Sequence, residues 1–227
     1  MLHLNIQRVN GVIASNENLS CFWKWILENS TSLMLPYHNL RHTMEMIDLI
    51  LSIYEKSRKD TEYGFEVSDK DLYVLLVSAM FHDFSHSGGV HPDSANVDTA
   101  IGGMERCLRN YLNNDRETEA IIHECAEIIK ATQYPYVIDD KDLSIRQRII
   151  RECDVLVAFY DDMTIQTIVG LMTEMRQTSY SDFVQKYMSF ILESAQTFKI
   201  KFSIDIVERY GEDLVKTMKS FISIFNT

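Results

Sequence analysis

Apolar residues recur along this chain at three- and four-residue spacing, and no segment alternates as a half-buried strand would. The pattern predicts one helix after another. Asn16 or Asn18 caps a helix through Phe22, Trp23, Ile26 and Leu27. Pro36 breaks the chain, and a second helix carries His42, Met46, Leu49, Ile50 and Ile53. The polar stretch 56–68 reads as a loop. Asp69 or Asp71 opens a third helix, 72 to about 84, that is apolar on nearly every side. Such a helix belongs at the centre of a fold. Ser87-Gly88-Gly89 and His91-Pro92 mark 85–94 as a loop. Helices follow at 95–112 and 116–132, then a loop at 133–142 containing Pro135. Ser144 opens a helix past Ile149, Cys153 and Leu156, and three more stretches lie near 162–177, 180–200 and 204–225.

No internal repeat, low-complexity tract or Gly/Ser/Pro-rich linker divides the 227 residues. The expected fold is all-α, one multi-helix domain over 1–227 packed around the third helix. The last helix is amphipathic through Phe202, Ile206, Leu214, Met218, Phe221 and Phe225. Docking on its own domain is the simpler expectation, with an oligomer interface left open.

Charge narrows the function. Lys and Arg number 22 against 33 Asp and Glu, a net −11. That balance argues against a nucleic-acid partner, whose backbone is bound by Lys and Arg. An anionic substrate would need a local cation, and a metal ion is the obvious one. No run reaches the roughly 18 apolar residues of a membrane span, and Met1 to Arg8 lack the apolar core of a secretion signal. A cytoplasmic protein with no membrane partner is expected. Cys21, Cys107, Cys125 and Cys153 form no CxxC pair and read as thiols of a reducing compartment.

The chemistry concentrates in the histidines. Five of the seven lie between 38 and 91, around Tyr37-His38-Asn39-Leu40-Arg41-His42 and His82-Asp83-Phe84-Ser85-His86. In each segment two histidines stand four apart, the spacing of one helix face. A lone His beside an apolar run is usually a packing residue, and Asp154 could pair with Arg148 or Arg151. Two His pairs change that balance. So do Asp83 at the end of the most apolar helix and Asp154 inside Ile149–Ala158, because a buried carboxylate is costly unless paired or bound to a metal. One metal centre accounts for all of them economically. His91 reads as a solvated loop residue that could reach over the site, and His123 as a surface or core residue that could serve as an extra ligand.

The order His, His-Asp, Asp resembles the HD-domain superfamily of metal-dependent phosphohydrolases. The flanks resemble the catalytic domain of cyclic-nucleotide phosphodiesterases, with Tyr-His-Asn-x-x-His at 37–42, His-Asp-x-x-His at 82–86, Asn96, Ala131-Thr132 and Asp154. The likeness spans roughly 22–160. It implies that His42, His82, Asp83 and Asp154 hold a first ion and that Asp83 bridges to a second. One or two divalent ions would be bound, of Zn, Mn, Mg, Fe or Ni. His86 would stand behind the second ion, His38 would be the general acid, and Tyr37 and Asn96 would line the pocket. Hydrolysis of a phosphate ester, a nucleotide or cyclic nucleotide, by a metal-held hydroxide would follow. The sequence departs from that pattern at Ser87 (Pro in the family), Ala95 (Glu), Gln133 (Asp) and Tyr187, which aligns with a purine-gripping Gln. Two alternatives stay open: a phosphatase of nucleoside monophosphates or other monoesters, and a metal- and nucleotide-binding sensory module without turnover.

Overall fold

The structure, a computed structural model, describes residues 2–60, 63–113, 115–160, 166–177 and 179–225; at 166, 221, 224 and 225 it describes the backbone only. Helices run over Ile6–Ser15 (α1), Glu17–Asn29 (α2), Leu40–Ser57 (α3), Asp69–Phe81 (α4), Asp93–Tyr111 (α5), Arg116–Lys130 (α6) and Ile145–Leu156 (α7). A π-helical segment, Gln166–Leu171, passes into the short α8, Met172–Glu174. The chain ends with α9, Tyr180–Thr197, and α10, Lys201–Phe225. The chain is all-α as expected, and among the described residues the one β feature is an isolated bridge between Leu2 and Tyr160. None of the described helices is long and apolar enough to cross a membrane.

Side-chain caps start most helices where the sequence places them. Asn16 accepts from Leu19 N at the start of α2. Ser68 with Asp71, and Ser144 with Gln147, form reciprocal capping boxes on α4 and α7. α4 is the hub, packed against α2, α3, α5, α6 and α7. Every residue from Val74 to Phe81 is buried, which explains why its sequence shows no polar face. Glu152 in α7 accepts from Lys199 N and Ile200 N at 2.8 and 3.2 Å, and so ties the start of α10 to the core.

Five expectations need correction. A helix not anticipated, α1, precedes α2, capped by Asn5 and held to α3 by Arg8 on Asp48 at 2.5 Å. α4 stops at Phe81 instead of near 84, and α5 starts at Asp93 instead of Ala95. The stretch expected near 162–177 is π-helix and a short α-turn where described, and its first residues, 162–165, lie outside the described residues. Neither histidine pair shares a helix face: His38 precedes the Asn39 cap of α3, and His82 to His86 follow α4. Both pairs therefore sit at helix ends, where the chain can aim them inward. Cys107, Cys125 and Cys153 are buried free thiols and Cys21 is a half-buried one.

Candidate metal centre

Two helix ends are built to face each other. Asn39 Oδ1 accepts from Arg41 N at 2.9 Å and His42 N at 3.3 Å, while its Nδ2 donates to Leu35 O and Pro36 O. One side chain thus locks the turn carrying His38 to the first turn of α3 carrying His42. Opposite it, the chain leaves α4 through tight turns, with Ser85 at φ +56°. Ser32 Oγ donates to Asp83 O at 2.8 Å and Ser85 N donates to Ser30 Oγ at 3.0 Å, pinning the turn to the segment after α2. Phe84 packs on Trp25 with ring centroids 5.0 Å apart, and Gly103 of α5 leaves the space its ring fills.

His42, His82, Asp83 and Asp154 converge. His42 Nε2 lies 3.1 Å from His82 Nε2, 3.1 Å from Asp154 Oδ1 and 3.4 Å from Asp83 Oδ2. His82 Nε2 is 3.0 Å from Asp83 Oδ2. His82 Nδ1 lies 2.8 Å from Ala79 O, which can only accept, so the neutral ring turns its Nε2 lone pair to the centre. The sequence-level rival for Asp154 does not hold: Arg151 donates to Ala131 O and Ile138 O, and Arg148 to Asp140.

The donor set suits a divalent cation. Asp83 Oδ2 is buried and makes no hydrogen bond of acceptable geometry, although its side chain is only 13% exposed. Two imidazole nitrogens and two carboxylates aimed at one point match the hard-to-borderline ions Zn, Mn, Fe or Ni. Burial works against a charged His82 ring, but Asp83 and then Asp154 outweigh it and push its pKa up to about 9. Burial likewise opposes ionisation of Asp83, and His82, His38 and His42 together hold that carboxyl well below the usual range.

A second group stands beside the first. His38, His86 and Glu174 bring ligand-type atoms close together, but here the carboxylate is satisfied by the protein. Glu174 Oε1 accepts from Tyr37 N at 2.5 Å and His38 N at 3.0 Å, and Oε2 lies 2.5 Å from His38 Nδ1. Burial raises the Glu174 pKa, and His38 more than cancels that, leaving it lowered. His38 stacks on His86, centroids 3.7 Å apart. His86 Nε2 meets the Asn96 side chain at 2.9 Å, and Asn96 Oδ1 accepts from Ser87 N. Tyr37 is buried with its ring beside His38 and His42.

Compared with known proteins, the chain matches no family model and is significantly similar to no curated protein.

A cavity of about 100 Å³ joins these groups, lined by His38, His82, Asp83, His86, Asn96 and Asp154, with Asp93, Val97, Thr132 and Tyr134 completing the wall. A groove of about 560 Å³ against Leu2, Leu4 and Tyr160 is larger but includes none of the ligand set. Three wall or support residues escaped sequence reasoning. Glu174 was hidden in a helical pattern, where a single Glu behind Gly170-Leu171-Met172 was its only signal. Asp93 brings a carboxylate within 3.7 Å of His86 Nε2, two residues before Ala95. Tyr134 reaches the cavity from the loop that cis-Pro135 turns. His91 and His123 are exposed and belong to neither ligand group.

Proposed function

We propose that this chain is a metal-dependent phosphohydrolase acting on a phosphate ester of the nucleotide or cyclic-nucleotide type. The observation that carries the reading is the meeting of His42, His82, Asp83 and Asp154 around the unsatisfied Asp83 Oδ2, beside a His38–Glu174 pair that opens on the same cavity. A divalent ion held by those four residues would supply positive charge to a phosphoryl group and acidify a coordinated water. The 100 Å³ cavity has room for one phosphoryl group and not for a chain of them. That positive charge is what a protein of net −11 otherwise lacks.

The chain's own residues supply the proton. His38 is held through Nδ1 by Glu174, which leaves Nε2 to donate a proton to the departing ester oxygen. Glu174, being fastened to two backbone N–H groups, fixes the ring's orientation. Asp93 and Asn96 hold His86, and His86 in turn stacks against the face of His38.

The test is element-resolved metal analysis of the purified protein together with phosphatase and phosphodiesterase assays in Mn²⁺, Mg²⁺ or Zn²⁺. Wild type should hold metal and turn over, and Asp83→Ala should lose the metal and at least a hundredfold of the rate. Undiminished activity in that variant removes the proposal.

A further inference from the structure

Apolar side chains crowd the mouth of the metal-centre cavity. Of the twelve large apolar side chains exposed among the described residues, six stand on the four segments around it. They are Met34, Val90, Tyr134, Val137, Val169 and Met175, between 40 and 92% exposed. Exposed apolar residues scattered singly mean little, but a contiguous group marks a contact surface. These segments are joined edge to edge. Tyr134 N donates to Asp93 Oδ2 at 2.6 Å. A Cβ at Gly88 would lie 3.1 Å from the Leu35 side chain, and one at Gly89 3.3 Å from Met175 Cα. Gly170, next to Val169, lies against Pro36. Three of the segments wall the cavity itself through His38, His86, Asp93 and Tyr134, and the fourth holds His38 through Glu174.

We propose that this apolar rim is a docking surface for a phospholipid bilayer, which the protein meets cavity first. Charge favours that partner. Over 34–36, 88–92, 134–137 and 169–177 the one carboxylate is Glu174, buried and held by Tyr37 N and His38 N, whereas Arg176 is an exposed cation. Carboxylates at the border are occupied, Asp93 by Tyr134 N and His86 and Asp139 by Lys141. A phosphate headgroup thus meets an arginine and no exposed acid, although the chain as a whole carries −11. Charge on the rest of the molecule is screened over about 8 Å at physiological ionic strength.

Shape favours it too. Six side chains on four separate segments suit a fluid surface, which moulds to them, better than a protein partner, which would need matching relief. Tyr134 combines an apolar ring with a polar tip, as residues at the headgroup level do. The cavity inside the rim, about 100 Å³, has room for one headgroup phosphate. Lying on a bilayer requires no spanning segment, so the expectation of no membrane partner, which came from the lack of a span, does not bear on it. Docking of this kind is also independent of hydrolysis.

The test is co-sedimentation of the full chain with phosphatidylcholine vesicles in about 0.15 M salt. Wild type should sediment with the vesicles, and the double variant Met34→Glu, Val137→Glu should lower its partition about tenfold or more. Met34 is 92% and Val137 62% exposed, so neither change threatens the fold, and circular dichroism verifies it. Ile145→Glu should leave binding unchanged, because that exposed apolar residue lies at the far end of α7 from Asp154, about 14 Å along the helix. Wild type that stays in solution overturns the proposal, whether it is a monomer or, by analytical ultracentrifugation, a dimer that the double variant dissolves. Equal losses in Ile145→Glu and the double variant overturn it as well. Vesicle binding lost only in the double variant upholds the surface even if no ester is turned over, an outcome that would sink the hydrolase proposal alone.

Discussion

Gly170→Ala tests the link between backbone packing and proton donation. A Cβ at Gly170 would lie 2.6 Å from Pro36 O and 2.8 Å from Pro36 C, backbone atoms that cannot rotate away. The closer distance falls 0.8 Å short of the 3.4 Å at which ordinary contact begins. Pro36 leads directly into Tyr37-His38, and Glu174 follows Gly170 by one turn. The methyl group therefore pushes apart the two segments whose contact is the His38–Glu174 pair. If the shift passes to the pair undiminished, the Nδ1 to Oε2 distance grows from 2.5 Å to about 3.3 Å, beyond a good charge-assisted hydrogen bond. A displacement of that size costs roughly tenfold to a hundredfold in rate. The loss must depend on the leaving group. An alkyl phosphate ester needs a proton on its departing oxygen and should suffer the full loss, whereas a p-nitrophenyl ester leaves as a stable anion and should lose little. Steady-state kinetics on the two esters, with circular dichroism to verify folding and metal analysis to verify loading, decides the matter. Equal losses on both esters, or none on the alkyl ester, would refute the reasoning.

Three further outcomes follow from the same contacts. Because the metal-free state holds a proton on His82 up to about pH 9, cation binding must displace it. Affinity should thus fall by about a factor of ten per pH unit as pH drops below 9, and competition titration with a metal indicator measures it. The sign for folding is the opposite: the raised His82 pKa stabilises the metal-free fold fully below pH 6.5, and that share is lost as pH rises through 9. Gly103→Ala would drive a methyl group into the Phe84 ring and should cost about 1–3 kcal/mol, lowering Tm by a few degrees in calorimetry. Glu152→Ala leaves the N–H groups of Lys199 and Ile200 without their acceptor and should destabilise by about 1–3 kcal/mol, with α10 exchanging its amide hydrogens first.

Much of the candidate centre was legible because its residues break local rules. Asp83 and Asp154 are carboxylates in apolar runs, and histidines paired at four-residue spacing on either side of an apolar helix are rare by accident. The helix starts were legible where a cap carries its own signature, as at Asn16 and Ser144, whereas the Ser68 cap of α4 was read as loop. The face shared by each histidine pair was misread, since spacing alone does not reveal that Asn39 starts α3 between His38 and His42. Glu174 looked like any helix residue. Only the close approach at Gly170, and again at Gly89 (φ +77°), where a Cβ would meet Glu174 O at 2.7 Å, brings its carboxylate to His38.

From the order of residues alone come the helical class, the central place of α4 and the anomaly of two carboxylates and two histidine pairs beside apolar runs, because periodicity and the cost of burying charge act within a few residues of chain; which four of those side chains form the ligand set came from the resemblance to a known family. Distances between helix ends act across the chain and are set by packing. Whether His42 and Asp154, 112 positions apart, meet at 3.1 Å, whether Glu174 reaches His38, and whether Tyr134 walls the cavity were decided only when the core closed.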